Sequence, residues 1–232
     1  MASQPQSSAP LPWLLLLLSV TTGLVDAISV LGLGKVFTAN MTGNIVFLGF
    51  AAVGTRGYQV PPYLVAIGFF VIGALIAGWT GRAHQGRPLR RWLITASIIE
   101  AVLLWIAALV AIGYSLASPP AGWRVFAIIA LTAVVMGFRN GTIRQLKIPD
   151  LTTTVLTLTI TGLAADSSIV GGSNPNWGRR IGSVLAIFLG AAIGAWLVFR
   201  SGLTVPLMLA GLLIFGGTLA CALHPASAKP AS

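Results

Sequence analysis

The chain has 232 residues, of which 56% are hydrophobic and only 8% are charged. Ordinary soluble domains carry about 25% charged residues, so this composition excludes a soluble enzyme and indicates a protein embedded in a lipid bilayer. The formal net charge is +10, and the Lys and Arg residues that produce it lie between the apolar runs. This pattern is typical of the charges that orient a membrane protein and not of a nucleic-acid-binding protein.

Eight apolar segments follow one another along the chain. They cover residues 12–33, 41–54, 60–81, 92–114, 123–138, 151–165, 181–199 and 203–223. Six of them are long enough to cross a hydrocarbon core of about 30 Å. We therefore predict an all-α polytopic membrane bundle with six crossings and two short helices, and eight crossings are the alternative.

The apolar segments form one predicted membrane domain over residues 12–223. An N-terminal tail (1–11) precedes this domain, and a C-terminal tail (224–232) follows it. The N-terminal tail contains no Lys or Arg, whereas the positively charged start of a secretory signal peptide does. We therefore interpret the first apolar segment as a retained helix.

Two short motifs recur in the same order in the two halves of the chain. Gly23–Ala27 is matched by Gly137–Gly141 at an offset of 114 residues. Thr42–Leu48 is matched by Thr157–Leu163 at an offset of 115 residues. Because the matches agree in order and spacing, we predict two related halves. These halves cover about residues 12–114 and 123–223.

The basic residues between the apolar segments predict the orientation of the bundle. Six crossings with the N-terminus inside place ten of the fourteen Lys and Arg residues in the cytoplasm, and eight crossings with the N-terminus outside place nine there. Both arrangements place the loop 81–91 inside. The ten residues of the six-crossing arrangement are Arg82, Arg87, Arg90, Arg91, Arg139, Arg144, Lys147, Arg179, Arg180 and Lys229.

The second and sixth segments are short and polar. As helices of 14 and 15 residues they would be only about 21–22 Å long at 1.5 Å per residue. Short hydrophobic segments at corresponding positions of two halves are typical of transporter binding sites near the bilayer midplane. The predicted substrate-binding residues are Asn40, Thr42, Gly43 and Asn44 in one half, and Thr153, Thr154, Thr157 and Thr161 in the other.

The helix N-termini near Asn40 and Asp150 carry partial positive charge, which favours a carboxylate or another small anion as the solute. A structural interpretation of the same residues stays open. Thr and Asn side chains in membrane helices often hydrogen-bond to another helix or to their own turn, and Gly43 would then permit close packing.

Glu100 lies near the middle of the fourth segment, where a charged side chain costs at least about 2.5–3.5 kcal/mol. It is protonated, paired with a cation or in contact with water. One interpretation makes Glu100 a proton-coupling carboxylate, with Asp26 as a second one. The other makes Glu100 a neutral acid that is hydrogen-bonded across a helix interface.

A polar run, Arg139, Asn140, Arg144 and Lys147, follows the fifth segment. Asn140, Arg144 and Lys147 share one helix face because they are separated by four and three residues. This face is predicted to be a cytoplasmic stop that contacts lipid headgroups. The alternative is the rim of a cavity that attracts anions.

Small residues recur at every fourth position in the third and seventh segments. They are Gly73, Ala77 and Gly81 in the third, and Gly182, Ala186, Gly190 and Gly194 in the seventh. Such a face lets another helix approach closely. We therefore predict close helix contacts at both faces, and these Gly-rich helices also offer surfaces for a homo-oligomer.

The sequence contains no pattern typical of an enzyme or a metalloprotein. Cys221 is the single cysteine, so no disulfide or thiolate metal site is expected. His84 and His224 lie outside the apolar segments, and the motifs His-Glu-x-x-His and Gly-x-Ser-x-Gly are absent. We predict no catalytic residues, no metal and no cofactor.

The stretch Val36–Gly49 resembles the signature of the YoaK family of bacterial multi-pass membrane proteins. Asp26, Gly137–Asn140 and Thr153–Ala165 also resemble the spacing of that family, so the resemblance covers most of the chain. It implies a location in the bacterial cytoplasmic membrane. Because the function of the family is unknown, the resemblance implies no catalytic or binding residues.

These observations together predict a transporter or channel for a small polar or anionic solute. The pair of short polar segments is the feature that supports it. The alternative is a membrane protein that transports nothing and binds a protein partner or a lipid.

Overall fold

The computed structural model describes residues 11–116, 122–146 and 156–228, and the regular elements in these ranges are all helices. Six long helices in the described ranges have 20–25 residues and are apolar enough to cross a membrane. They are α1 (Leu11–Gly32), α3 (Val60–Ala83), α4 (Leu89–Val110), α5 (Gly122–Gln145), α7 (Trp177–Ser201) and α8 (Thr204–Leu223). The same ranges contain two short apolar helices, α2 (Met41–Ala52) and α6 (Leu156–Ala165). The predicted polytopic bundle of six crossings and two short helices is confirmed.

The chain segments before and after helix α2 lie at the same end of the bundle. Its 12 residues extend about 18 Å, which is too short for a crossing. Lys35, before α2, lies with its Nζ atom 5.1 Å from the ring centroid of Tyr58, after α2. The ring of Phe47 in α2 lies 5.3 Å from that of Tyr58 and 6.0 Å from that of Tyr63 in α3. The eight-crossing alternative therefore does not apply to α2.

The long helices pack in pairs that join the first half of the chain to the second. Helix α1 packs against α7, α3 packs against α5, and α4 packs against α8. Helix α4 also contacts α5, and α8 contacts α1. The main core therefore lies between α1, α4, α5 and α8, and the short helices pack outside it, α2 on α3 and α6 on α7.

Glycines allow the helices of two of these pairs to approach so closely that their backbones are in contact. A Cβ atom on Gly73 of α3 would overlap the carbonyl oxygen of Val134 in α5, and a Cβ atom on Gly190 of α7 would overlap that of Val20 in α1. The close contacts predicted for the third and seventh segments are thereby confirmed. Both faces are occupied within one chain, so a homo-oligomer, which stays a prediction, would need other helix faces.

Helix α5 continues past the predicted boundary at residue 138 and ends at Gln145. The cytoplasmic position predicted for Arg139 is wrong, because this side chain is fully buried inside the bundle. Polar partners on two neighbouring helices offset the cost of burying it. The three residues of the predicted polar face differ in their surroundings. Asn140 donates to the Met136 carbonyl oxygen, Arg144 is exposed, and Lys147 lies outside the described residues.

The ends of the other long helices also differ from the predicted segments. Helix α4 begins at Leu89 and includes Arg90 and Arg91 of the loop 81–91, and α7 begins at Trp177. In the first turn of α7, Arg180 pairs with Asp166, which follows α6, at an N–O distance of 2.7 Å. Amphipathic Arg side chains can extend to the edge of an apolar layer, so such residues need not end a helix.

The connectivity predicts that residues 55–59 and 167–178 lie on opposite sides of the membrane. Cys221 is buried and can be replaced to give a cysteine-free background. In that background, Thr55→Cys is expected to react with a membrane-impermeant maleimide on intact cells. Ser173→Cys is expected to react only after permeabilisation, because the positive-inside rule places this loop in the cytoplasm. Labelling of both cysteines on intact cells would contradict the six-crossing arrangement.

Candidate functional site

The predicted site residues in the first half hold a loop and the start of α2. Asn44 is fully buried; its Oδ1 atom accepts a hydrogen bond from the Phe37 N–H (2.9 Å), and its Nδ2 atom donates one to the Phe37 carbonyl oxygen (2.6 Å). Asn40 caps α2 by accepting from the Gly43 N–H. A Cβ atom on Gly43 would collide with the Phe37 ring, and Thr42 is exposed. The structural interpretation therefore accounts for Asn40, Gly43 and Asn44.

The predicted site residues in the second half lie on α6. Thr157 and Thr161 are exposed, and the buried threonine of this helix is Thr159. Thr153 and Thr154 lie outside the described residues, as does Asp150. Helix α6 packs at the start of α7, whereas α2 packs at the start of α3, which is the opposite end of the bundle. The described parts of the two sets are therefore anchored at opposite ends.

Asp26 lies in α1 and fixes the segment that follows this helix. Its Oδ1 atom accepts a hydrogen bond from the Ala39 N–H at 3.1 Å. Together with Asn44, which binds Phe37, it holds the chain between α1 and α2 at two points. This geometry gives Asp26 a structural contact, while its predicted role in proton coupling stays a prediction.

Replacement of Asn44 by leucine is expected to lower the free energy of unfolding by about 1–3 kcal/mol for each Phe37 backbone group left unpaired. Thr157→Val is the matched control, because this threonine is exposed and such substitutions usually change stability by about 0.5 kcal/mol or less. Thermal unfolding of both purified variants in detergent measures the difference. Equal unfolding midpoints would contradict the structural contact of Asn44.

A buried ion pair occupies the middle of the bundle and joins three helices. The Arg139 Nε atom of α5 donates to the Glu100 Oε2 atom of α4 at 2.8 Å, and the Arg139 Nη2 atom lies 2.7 Å from the same oxygen. The Arg139 Nη1 atom lies 2.9 Å from the Thr21 Oγ1 atom, 3.1 Å from the Thr22 Oγ1 atom and 3.2 Å from the Leu18 carbonyl oxygen in α1. Arg139 therefore connects α5 to both α4 and α1.

The helical period of the sequence brings these two charges into the core. Glu100 is eleven residues from the start of α4 and ten from its end, which places it about 15 Å from either end at 1.5 Å per residue. It shares the buried face of α4 with Leu93, Ala96 and Leu104. Arg139 follows Thr132 and Met136 at the spacing of one helix face, and all three are buried.

The pair is neutral as a whole, which is the condition for burying charge in this environment. Glu100 is 4% exposed and Arg139 is 0% exposed. Burying an unpaired ion in a low-dielectric interior costs several kcal/mol, and the attraction within a pair offsets this cost only when further hydrogen bonds satisfy both groups. The hydroxyls of Thr21 and Thr22 supply such contacts for Arg139.

A cavity of about 20 Å³ lies beside the ion pair, between α1, α4, α5 and α8. A cavity volume of about 10–15 Å³ is enough for one water molecule. Its polar lining consists of Ser97, Glu100, Arg139, Thr142 and Thr218. Its apolar lining includes Leu14, Leu93 and Leu146, so the cavity extends from the ion pair toward the end of the bundle where α1 begins.

Two polar atoms at the cavity are buried without a hydrogen-bond partner among the described residues. One is the Thr142 hydroxyl, and the other is the Arg139 Nη2 atom, which is in ion-pair contact with Glu100. Buried polar groups normally have partners, and an unpaired one costs about 1–3 kcal/mol. The cavity therefore presents hydrogen-bonding capacity next to a cation. No group of three or more potential metal ligands occurs in the described ranges.

Glu100, which is predicted to be a coupling residue, lies in the buried ion pair beside the cavity. The sequence did not predict four other residues of this site, namely Arg139, Thr21, Thr22 and Thr142. Two sequence signals point to Arg139. A membrane-embedded acid requires a cation, and Arg139 continues the buried period of its helix. Composition alone favoured a helix end at this residue, because arginines are most frequent at membrane boundaries.

Known proteins similar to this chain include a transmembrane protein. The chain matches the family model described as "Protein of unknown function (DUF1275)" over residues 14–220. It is 36% identical over 155 residues to the UPF0700 transmembrane protein YoaK of Bacillus subtilis (strain 168), a match that covers 67% of this chain and 66% of that protein. No solved structure matches the chain. The chain therefore belongs to the DUF1275, or YoaK, family of multi-pass membrane proteins.

Proposed function

We propose that the protein is a transporter or channel for a small polar or anionic solute and that Arg139 holds the solute. The observation that carries the proposal is the buried ion pair with a cavity beside it. Ionisable residues inside membrane helices are costly and usually mark the path of a substrate or an ion. A purely structural pair is a weak explanation, because well-packed apolar residues of similar volume are often as stabilising as a buried ion pair.

The proposal includes the two related halves predicted from the sequence. Gly23 of α1 meets the backbone of α7, and Gly137 of α5 meets the backbone of α3 in the same way. Helices α1 and α5 occupy corresponding positions in the two halves, and Arg139 bridges them by binding Thr21 and Thr22. Transporters built from repeats hold substrate near the midplane where the repeats meet.

The proposed location is the bacterial cytoplasmic membrane, with the N-terminus inside. A transmembrane relative from Bacillus subtilis supports a bacterial origin of the family. The orientation rests on the basic residues: once the buried Arg139 is removed from the ten predicted to be cytoplasmic, nine of fourteen remain on that side. The concentration of Arg in the loop 81–91 contributes most to this assignment.

Flux into proteoliposomes tests the proposed function. Purified protein is reconstituted, and the uptake of chloride, nitrate, formate and glycerol is compared with that of protein-free vesicles. We expect uptake of at least one of them. Arg139→Gln is expected to lower that uptake by about tenfold or more, because a hydrogen bond to a charged group contributes about 1.5–3 kcal/mol. Arg144→Gln, an exposed residue on the same helix, is the matched control and is expected to retain uptake.

Absence of uptake for every probe would contradict transport of these solutes by the wild-type protein. Uptake that Arg139→Gln leaves unchanged would contradict the proposed site. A protein or lipid that co-purifies in fixed stoichiometry with a protein that gives no flux would instead support the alternative function, a membrane protein that binds a partner.

A further inference from the structure

We infer that the Glu100 carboxylate occupies the position of a small monovalent anion on Arg139, and that one proton binds Glu100 when such an anion displaces it. This inference rests on the proposed function, because it assigns the solute to Arg139. It adds a coupling mechanism to that site: the anion and one proton bind together.

The contacts of Arg139 allow Glu100 to leave while the guanidinium stays in place. Glu100 contacts Arg139 through one oxygen atom, Oε2, which faces both Nε and Nη2. The opposite side of the guanidinium is held by Thr21, Thr22 and the Leu18 carbonyl oxygen through Nη1. Because these three contacts do not involve Glu100, they would keep Arg139 oriented toward a new anion.

The cavity supplies further donors for that anion. Arg139 Nη2 lies 2.7 Å from Glu100 Oε2 and makes no hydrogen bond to a described residue. The Thr142 hydroxyl is buried without a partner among the described residues. Both residues line the cavity. A volume of about 20 Å³ accommodates a particle of about the size of one water molecule. This size favours a monatomic anion such as chloride over a polyatomic one.

Charge balance requires the proton. With Glu100 ionised, the pair is neutral, so an added anion would leave one net negative charge in a low-dielectric interior, which costs several kcal/mol. If Glu100 takes one proton from the aqueous phase, the site holds Arg139 as a cation, the anion and a neutral carboxylic acid. The net charge is again zero. The step breaks the ion pair and forms one O–H bond on Glu100, and no other covalent bond changes.

No other charged group competes for the proton at the described cavity wall. The facing groups are Ser97 on α4 itself, Thr142 next to Arg139 on α5, and Thr218 on α8. From α1, the hydroxyls of Thr21 and Thr22 face Arg139. The other carboxylate and the thiol on these helices do not line the cavity: Asp26 binds Ala39 after α1, and Cys221 lies one turn beyond Thr218. The other arginines of α4 and α5, which do not line the cavity either, are Arg90, Arg91, Arg124 and Arg144. Glu100 is therefore the proton acceptor.

Chloride binding to the purified full-length protein in detergent tests this inference directly. Sodium chloride is titrated into weakly buffered protein with a pH indicator, and sodium gluconate controls for ionic strength. We expect uptake of about one proton per bound chloride, and an apparent Kd that rises about tenfold for each unit increase in pH while Glu100 is ionised in the free protein. Glu100→Gln is expected to bind chloride without proton uptake and without this pH dependence.

A second variant keeps the test decisive if Glu100→Gln does not fold. Thr142→Val preserves the ion pair and is expected to weaken chloride binding while proton uptake per bound chloride stays near one. No chloride binding by the wild-type protein, binding without proton uptake, or equal proton uptake by Glu100→Gln would each overturn the inference. Proton-coupled binding without flux into proteoliposomes would contradict transport alone, whereas flux without proton uptake would contradict the coupling alone.

Discussion

Replacement of Arg139 by methionine is expected to be among the most destabilising substitutions in the described part of the chain. Removing one partner of a buried ion pair costs about 3–5 kcal/mol, because the other charge is left buried without compensation. Here that charge is Glu100, which is 4% exposed. The contacts of Arg139 with the Thr21 and Thr22 hydroxyls are lost as well.

Thermal or denaturant unfolding in detergent measures this loss. Arg144→Met is the matched control, since it makes the same chemical change on the same helix at an exposed position. Such surface substitutions usually change stability by about 0.5 kcal/mol or less. Similar unfolding curves for the two variants would show that Arg139 is not buried against Glu100.

The second large effect is expected where glycines bring two helices into backbone contact. A Cβ atom on Gly73 would overlap the Val134 carbonyl oxygen and come within 2.8 Å of the Phe138 nitrogen, both of which are backbone atoms of α5. Backbone atoms cannot rotate away, so α3 and α5 must separate. Overpacking of this kind typically costs about 1–3 kcal/mol. Gly73→Ala is therefore expected to lower both the yield of folded protein and its unfolding midpoint.

Gly68 provides the control in the same helix, because a Cβ atom there meets nothing within 4 Å. Gly68→Ala is expected to leave stability unchanged or to raise it slightly, since alanine favours helix by up to about 1 kcal/mol over glycine. Gly190→Ala, at the contact between α7 and α1, is expected to behave like Gly73→Ala. Equal stability of Gly73→Ala and Gly68→Ala would contradict the close approach of α3 and α5.

The number of crossings could be predicted from the sequence because bilayer thickness sets a minimum length for an apolar helix. The residue at which α5 ends could not be predicted from the sequence. Arg139 follows an apolar run and therefore has the pattern of a boundary, and its partner Glu100 is 39 residues away in the chain. Only the packing of α4 against α5 reveals that these two costly charges satisfy each other.

The candidate functional site was harder to predict for a related reason. Polarity is concentrated around α2, which favoured a binding site there, but the amide of Asn44 is already satisfied by the backbone of Phe37, seven residues earlier. Residue type does not reveal whether a polar atom is already bonded. Glu100 was a predicted candidate because its cost in the bilayer is visible without a structure.

A double-mutant cycle of Glu100→Gln and Arg139→Met tests the central claim most directly, because coupling energies separate interacting residues from independent ones. Each single variant leaves one buried charge uncompensated, whereas the double variant leaves none. We predict that the double variant unfolds at a higher temperature than either single variant and recovers most of the wild-type stability. Losses that simply add in the double variant would contradict a buried Glu100–Arg139 pair.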